Sequence, residues 1–268
     1  MTARPPVALT IAGSDSGGGA GIEIDLKVFA SLGVFGACAI TAQNTAGVTG
    51  AWESPPGSVR AQMEAVLDDL PVAAAKTGML SSRAIVEEVA EVVRARALAP
   101  LVVDPVVVAK DGTHLLSDEG IAALRDRLLP LAAIITPNIP EAEALSGIHI
   151  KGGEDVREAA AKLRALGCNW VLVKGGHMQA PEVTDLLLGP DEEQALHSPR
   201  IPGGPFHGTG CALSAALAAH LARGASMPEA VRKASAFLQT LLRQAHRLGS
   251  GALVLHPTPQ TGGEVVNP

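Results

Sequence analysis

The sequence predicts an α/β fold, a mostly parallel central sheet with helices on both faces. Three observations predict it. Short apolar runs such as Val7–Ala12 and Leu101–Val103 alternate with longer stretches whose apolar residues recur at helical spacing. Polar clusters close strand after strand: Gly13-Ser14-Asp15, Gln43-Asn44, Lys76-Thr77-Gly78-Met79, Asp104, Asn138 to Glu141, and Lys174-Gly175-Gly176. Strand ends of that kind share one edge of a parallel sheet, where open α/β proteins bind ligands. Finally, the 268 residues show neither a linker-like shift in composition nor an internal repeat, so a single domain is expected over 1–268, with a core from about 7 to 247 and a loose tail.

In chain order, Val7–Ala12 reads as a buried strand that ends at Gly13. The glycine-rich run to Gly21 follows, then a helix with Ile22, Leu26 and Phe29 on one face. Asp25 neighbours that stripe, so it either looks toward a pocket near the loop or is a solvated helix charge. Val34–Ala42 is a strand closing on Gln43-Asn44-Thr45, a ligand edge or simply a turn. Arg60–Leu70 is helical, and Val72–Lys76 is a strand ending in Thr77-Gly78-Met79. Ser81-Ser82 caps a helix running through Ile85, Val89 and Val92. Leu101–Val103 ends at Asp104-Pro105, and Val106 to Ala109, Lys110 and Gly112 form a loop. A helix from Ser117 to Leu129 precedes strand Ala133–Ile135. Glu154–Leu166 is helical and Trp170–Val173 a strand. Val183–Leu188 and Ala195–Ser198 form a hairpin around Gly189-Pro190-Asp191. Two helices, Cys211–Arg223 and Met227–Arg247, close the fold before a Pro- and Gly-rich tail.

Composition excludes several classes. A net charge of −6 without a basic block makes nucleic acid an unexpected partner. Aromatic content of 2% with no tyrosine removes the stacking platforms of single-strand binders. No apolar run spans a bilayer, and the N-terminus lacks a secretory apolar region, so no membrane association and a cytoplasmic location are expected. Cys38, Cys168 and Cys211 are odd in number and widely spaced, which fits a reducing compartment. The third glycine of a dinucleotide loop is missing, because position 24 is Ile24, and no Gly-Lys-Ser/Thr loop occurs.

The most informative stretch is His207-Gly208-Thr209-Gly210-Cys211, a Gly-Thr-Gly turn leading into a helix with Leu213, Leu217 and Leu221 on one face. Free N–H groups at a helix start favour anions, so the turn is either an anion hole or merely the start of a core helix. Asp104-Pro105 stops a strand and places Asp104 at its carboxyl end.

Taken together, these strings identify the chain as resembling the hydroxymethylpyrimidine/phosphomethylpyrimidine kinases of thiamine biosynthesis, in the ribokinase-like superfamily. The resemblance rests on Gly13 to Ile22 with Asp25-Leu26-Lys27, Ala42 to Thr45, Lys76 to Leu80, Val103 to Val106, Thr136 to Glu141, Lys174 to His177 and His207 to Cys211, in the family's order. It implies a three-layer sandwich and transfer of phosphate from ATP to a hydroxymethylpyrimidine, then to its monophosphate. By the same resemblance Gly13, Asp25, Gln43, Met79 and Val106 hold the pyrimidine. Asn138, Lys174, Asp185 and Thr209 serve ATP, and Asp104 and Glu141 serve Mg²⁺. Gly208, Thr209 and Gly210 form the anion hole.

Cys211 stands where sugar kinases of the superfamily place an aspartate base. A helix N-terminus lowers a thiol pKa, so a thiolate base is one reading; a small residue packing the helix start is the other. His177 and His207 are assigned no catalytic role, and Cys38 and Cys168 are structural. The resemblance also implies a homodimer, though no apolar pattern marks the interface. Two departures stand out. Glu23 replaces the family's common glutamine, and the run from Gly36 to Gln43 is about three residues shorter than usual, which would shift Gln43 relative to the ring. Alternative functions are a pyridoxine or pyridoxal kinase of the same fold, and a non-catalytic pyrimidine-binding regulator.

Overall fold

The structure, a computed structural model, describes residues 4–45, 50–108, 114–177 and 181–258. A nine-stranded sheet runs through it in the order β3-β2-β1-β4-β5-β6-β7-β8-β9. Its parallel body comprises β1 (Val7–Asp15), β2 (Phe35–Asn44), β4 (Val72–Thr77), β5 (Leu101–Val103), β6 (Ile134–Ile135) and β7 (Trp170–Val173). Antiparallel strands flank it: β3 (Ala51–Glu53) pairs with β2, and the hairpin β8 (Glu182–Leu188) and β9 (Glu193–Pro199) continues from β7.

Strict alternation in the parallel strands divides the core into two layers. Leu9, Ile11, Leu101, Val103, Ile135, Val171 and Val173 face α2 (Pro56–Asp69), α3 (Arg83–Ala95), α5 (Ile139–Ser146) and α6 (Gly153–Ala165). Ala8, Val102, Ile134 and Leu172 face α1 (Gly21–Ser31), α7 (Thr209–Ala222) and α8 (Met227–Arg243). Period-two side chains buried on both faces explain why these strands read as unbroken apolar runs. The helix α7 carries more than an apolar stripe, since every residue from Ala212 to Ala219 is buried. Its alanines let α1 and α8 pack close on either side.

Several boundaries differ from the sequence expectation. The helix expected from Ser117 to Leu129 is α4 (Asp118–Ala123) followed by a π turn (Leu124–Leu128) and a 3₁₀ turn (Leu129–Leu131). Pro130 supplies no N–H, so the α pattern cannot run on. The element α5 was hidden by Pro137 and Pro140, which in fact sit before and at its first turn. A two-stranded parallel sheet of β10 (Phe206–His207) and β11 (Leu253–Val254) ties the entry to α7 to the chain's end, at residues too short and mixed to show a pattern. The loop expected through Ala109, Lys110 and Gly112 and the end of the tail, 259–268, lie outside the described residues. Among the described residues, no helix is long and apolar enough to cross a membrane.

Candidate active site

The carboxyl ends of β1, β2, β4, β5 and β7 open on one edge, and the start of α7 comes to it from one face. The turn into α7 needs a glycine at its N-cap: Gly208 has φ +78°, and a Cβ there would lie 1.9 Å from the Gly19 carbonyl oxygen. The first glycine-rich loop and the turn before α7 are therefore in backbone contact. His207 Nε2 lies 3.0 Å from Asp15 Oδ2 and fastens them together. Asp15 also accepts from the N–H groups of Gly17, Gly19 and Ala20. Burial alone would raise its pKa, but His207 and the Gly17 and Ala20 N–H groups bring it down to about 2.

Beneath the turn, a Cβ on Gly210 would lie 3.3 Å from Lys174 Nζ and 3.5 Å from Asp104 Oδ2. The α7 N-terminus therefore stands directly over an ion pair, Lys174 Nζ to Asp104 Oδ1 at 3.0 Å. Asp104 is buried, and Thr136 Oγ1 (3.2 Å) and Ser214 Oγ (3.3 Å) also donate to it. Burial disfavours its charge, yet Lys174 and Lys76 hold its pKa below the usual carboxylate range. The metal role expected for Asp104 thus meets a carboxylate already occupied by a lysine.

Glu141, the other expected metal residue, forms a reciprocal cap with Asn138. Its Oε2 accepts the Asn138 N–H at 2.8 Å, and Asn138 Oδ1 accepts the Glu141 N–H at 2.9 Å. Asn138, expected near ATP, uses its side-chain oxygen to cap α5. Lys174 Nζ is 3.9 Å from Glu141 Oε2, too far to offset burial, which pushes the Glu141 carboxyl up to about 7. Among the described residues no group of three or more acidic, histidine or cysteine side chains is arranged to hold a metal unaided. Asp185 accepts the Gly175 N–H at 2.8 Å, so it shapes the loop after β7 from below.

A second ion pair lies deeper. Lys76, at the end of β4, and Asp25, on α1, are both fully buried, with Nζ to Oδ2 at 2.9 Å. Thr10 Oγ1 donates to the same oxygen at 2.7 Å, and Asp25 Oδ1 has no partner among the described residues. The solvated reading of Asp25 is therefore excluded: it is a core charge. Lys76 had no role in the sequence reading, although a lysine within an apolar strand is itself a signal, since lysine is almost never buried unpaired.

Cys211, in the first turn of α7, is close enough to feel Lys76, Asp25 and Asp104, and its sulfur faces the Gly21 N–H. The expected lowering of its pKa does not occur. Burial pushes the thiol up to about 11 despite Lys76 and the Gly21 N–H, and the two carboxylates add to the rise. Cys168 is buried and donates to the Leu163 carbonyl, in keeping with a structural role.

The rest of the edge is a cradle at Gly13. A Cβ there would meet Asn44 Nδ2 at 3.0 Å and Met79 Sδ at 3.3 Å. Gly13 and Met79 thus come together as expected, and Val106 sits half-buried two residues past Asp104. Gln43 does not join them. The β1–β2 register passes from Ala12↔Ile40 to Ser14↔Gln43, so β2 carries one extra residue opposite Gly13. That bulge turns Gln43 to the exposed face, beside Trp52 on β3, and turns Asn44 inward. The unusual Glu23 locks the loop, not the pocket rim: Ser14 Oγ donates to its Oε1 at 2.5 Å and the Asp15 N–H to its Oε2 at 2.7 Å. Two donors suit a carboxylate.

Comparison with known proteins agrees with this architecture. The family described as phosphomethylpyrimidine kinase matches residues 15–256. A hydroxymethylpyrimidine/phosphomethylpyrimidine kinase of Streptomyces coelicolor is 48% identical over 250 residues, covering 92% of each chain. Among solved structures, an ADP complex of Bacillus subtilis pyridoxal kinase is 37% identical with a TM-score of 0.88, covering 94% of this chain and 98% of that one. A phosphomethylpyrimidine kinase of Clostridium difficile is 39% identical with a TM-score of 0.79, covering 88% of this chain and 98% of that one.

Proposed function

This chain belongs to the phosphomethylpyrimidine kinase family, and from that we propose an ATP-dependent kinase that phosphorylates 4-amino-5-hydroxymethyl-2-methylpyrimidine and then its monophosphate, for thiamine biosynthesis. The observation that carries the reading is the seating of the α7 N-terminus, whose first turn holds Cys211, over Lys174 at the same sheet edge as the Gly13 cradle. An acceptor alcohol held at the cradle and a phosphate held at α7 would meet beside Cys211.

Each residue then has a part. The N–H groups of Thr209 and Gly210 and the Lys174 ammonium neutralise charge on the transferring phosphoryl group. Asp104 holds Lys174 in place through its 3.0 Å ion pair. Asp185 sets the Gly175 backbone that follows Lys174, and Asn138 offers its cap to the nucleotide side of the edge. Magnesium fits as a water-mediated guest of Glu141, because a buried carboxylate displaced to about 7 gains from a nearby cation, and because Mg²⁺ on nucleotides keeps most of its ligands as water and phosphate. Bound there it would offset charge between the phosphates.

Cys211 takes the proton of the attacking hydroxyl. With its thiol held at about 11, only about one part in ten thousand is thiolate at pH 7, so positioning and charge carry most of the rate enhancement. A coupled ADP-release assay with MgATP tests the whole reading. Turnover of the hydroxymethylpyrimidine and of its monophosphate is expected. Turnover of pyridoxine alone would move the chain to the vitamin B6 branch, the reading to which the pyridoxal kinase neighbour points.

A further inference from the structure

We propose that Asn44, and not Gln43, reads the amino edge of the pyrimidine in this chain; the proposal rests on the kinase reading above. In a strand, neighbouring residues point to opposite faces, so one extra residue in β2 exchanges the two. The extra residue is at Thr41-Ala42, which are both buried while Gln43 is exposed. Its effect is to aim the Asn44 carboxamide at the cradle: Nδ2 is 3.2 Å from Met79 Sδ and 3.0 Å from where a Gly13 Cβ would stand.

That carboxamide is chemically unfinished. Its Oδ1 is buried and has no hydrogen-bond partner among the described residues, and its Nδ2 meets only a thioether, a weak acceptor. Exchanging the amide's oxygen and nitrogen changes which atom is left without a conventional partner but not the deficit. An unpaired polar group at the ligand edge of a sheet is the kind of exception that a ligand resolves. The 4-aminopyrimidine edge resolves it with two parallel hydrogen bonds: the exocyclic amine donates to Oδ1, and ring N3 accepts from Nδ2. Asparagine reads the amine and ring nitrogen of adenine through the same pairing. Pyridoxine has no amine beside a ring-nitrogen acceptor, so the contact would favour the pyrimidine over the B6 vitamer. Gln43 lies on the other face, exposed beside Trp52.

The test compares Asn44→Ala, Asn44→Asp and Gln43→Ala in the full-length protein, by steady-state kinetics with hydroxymethylpyrimidine and MgATP and by calorimetric binding of the pyrimidine alone. Asn44→Asp keeps size and shape, so it decides should the alanine variant fail to fold. Both Asn44 variants are expected to raise the pyrimidine KM and Kd about ten-fold or more, the worth of a bidentate pair, with the KM for ATP within about two-fold. Gln43→Ala should leave all three constants within about two-fold. Wild-type turnover with the order reversed, or with Asn44→Asp at the wild-type Kd, overturns the Asn44 assignment alone. A wild-type chain that neither binds nor phosphorylates the pyrimidine overturns the kinase reading and this one with it.

Discussion

Replacing Lys76 by methionine isolates the deepest electrostatic feature of the fold. Lys76 and Asp25 have no exposed surface, and the pair is made at 2.9 Å. Methionine matches the lysine stem in length but leaves Asp25 with Thr10 as its remaining donor and with Oδ1 still unpaired. Breaking a buried ion pair from one side costs about 3–5 kcal/mol, which for a domain of this size lowers Tm by roughly 6–20 °C. The pH dependence adds a second signature. Burial already raises the Asp25 pKa, and loss of Lys76, which opposes that rise, would raise it further. A carboxyl whose folded pKa lies above its unfolded value contributes most at low pH and loses that contribution as pH climbs through the folded pKa. The gap between Lys76→Met and wild type should therefore be widest near pH 8 and narrow toward pH 5. Chemical unfolding at both values measures it, and the double variant Lys76→Met/Asp25→Asn should recover most of the loss at pH 8. A gap below about 1 kcal/mol at pH 8, or one that does not narrow at pH 5, would refute the account of this pair as a coupled core charge.

Two further outcomes follow from the same geometry. Cys211→Ala should lower kcat by about 10²–10⁴ while the pyrimidine KM stays within a few-fold, and the wild-type rate should climb with pH toward the thiol value of about 11; an unchanged rate in the variant removes the base role. Glu141→Gln keeps an oxygen for the Asn138 N–H and stays neutral at every pH. Since the Glu141 carboxyl is raised to about 7, its favourable contribution is complete below its unfolded value near 4.5 and lost as pH rises through 7. The variant should thus be more stable than wild type above pH 7 and no more stable at pH 4, and it should need more Mg²⁺ for turnover; a stability difference independent of pH in thermal melts would contradict this.

Much of this molecule was legible in its sequence, for local reasons. A strand buried on both faces must be apolar throughout, so β1, β5 and β7 announce themselves, and the polar residues that end them mark the ligand edge. Gly208 was legible as a turn glycine before a helix, although its contact with the Gly19 carbonyl came only with the fold. What depended on the third dimension was every question of which partner a polar group finds. Asp25 and Lys76 are separated by 51 residues, and Asp15 and His207 by 192; no periodicity relates them, and only packing of α1 on β1 and of α7 beside both brings them into range. Burial decided the sign of the shift at Asp25, Glu141 and Cys211, whereas hydrogen-bond donors and ion pairs decided it at Asp15 and Asp104. Lys76 and the Gly21 N–H favour the Cys211 thiolate, but desolvation of the thiol, reinforced by Asp25 and Asp104, outweighs them. Register is the clearest case. Gln43 and Asn44 are adjacent in the chain and chemically alike, and a single extra residue in β2, visible only once β1 is laid beside it, decides which of them faces the site.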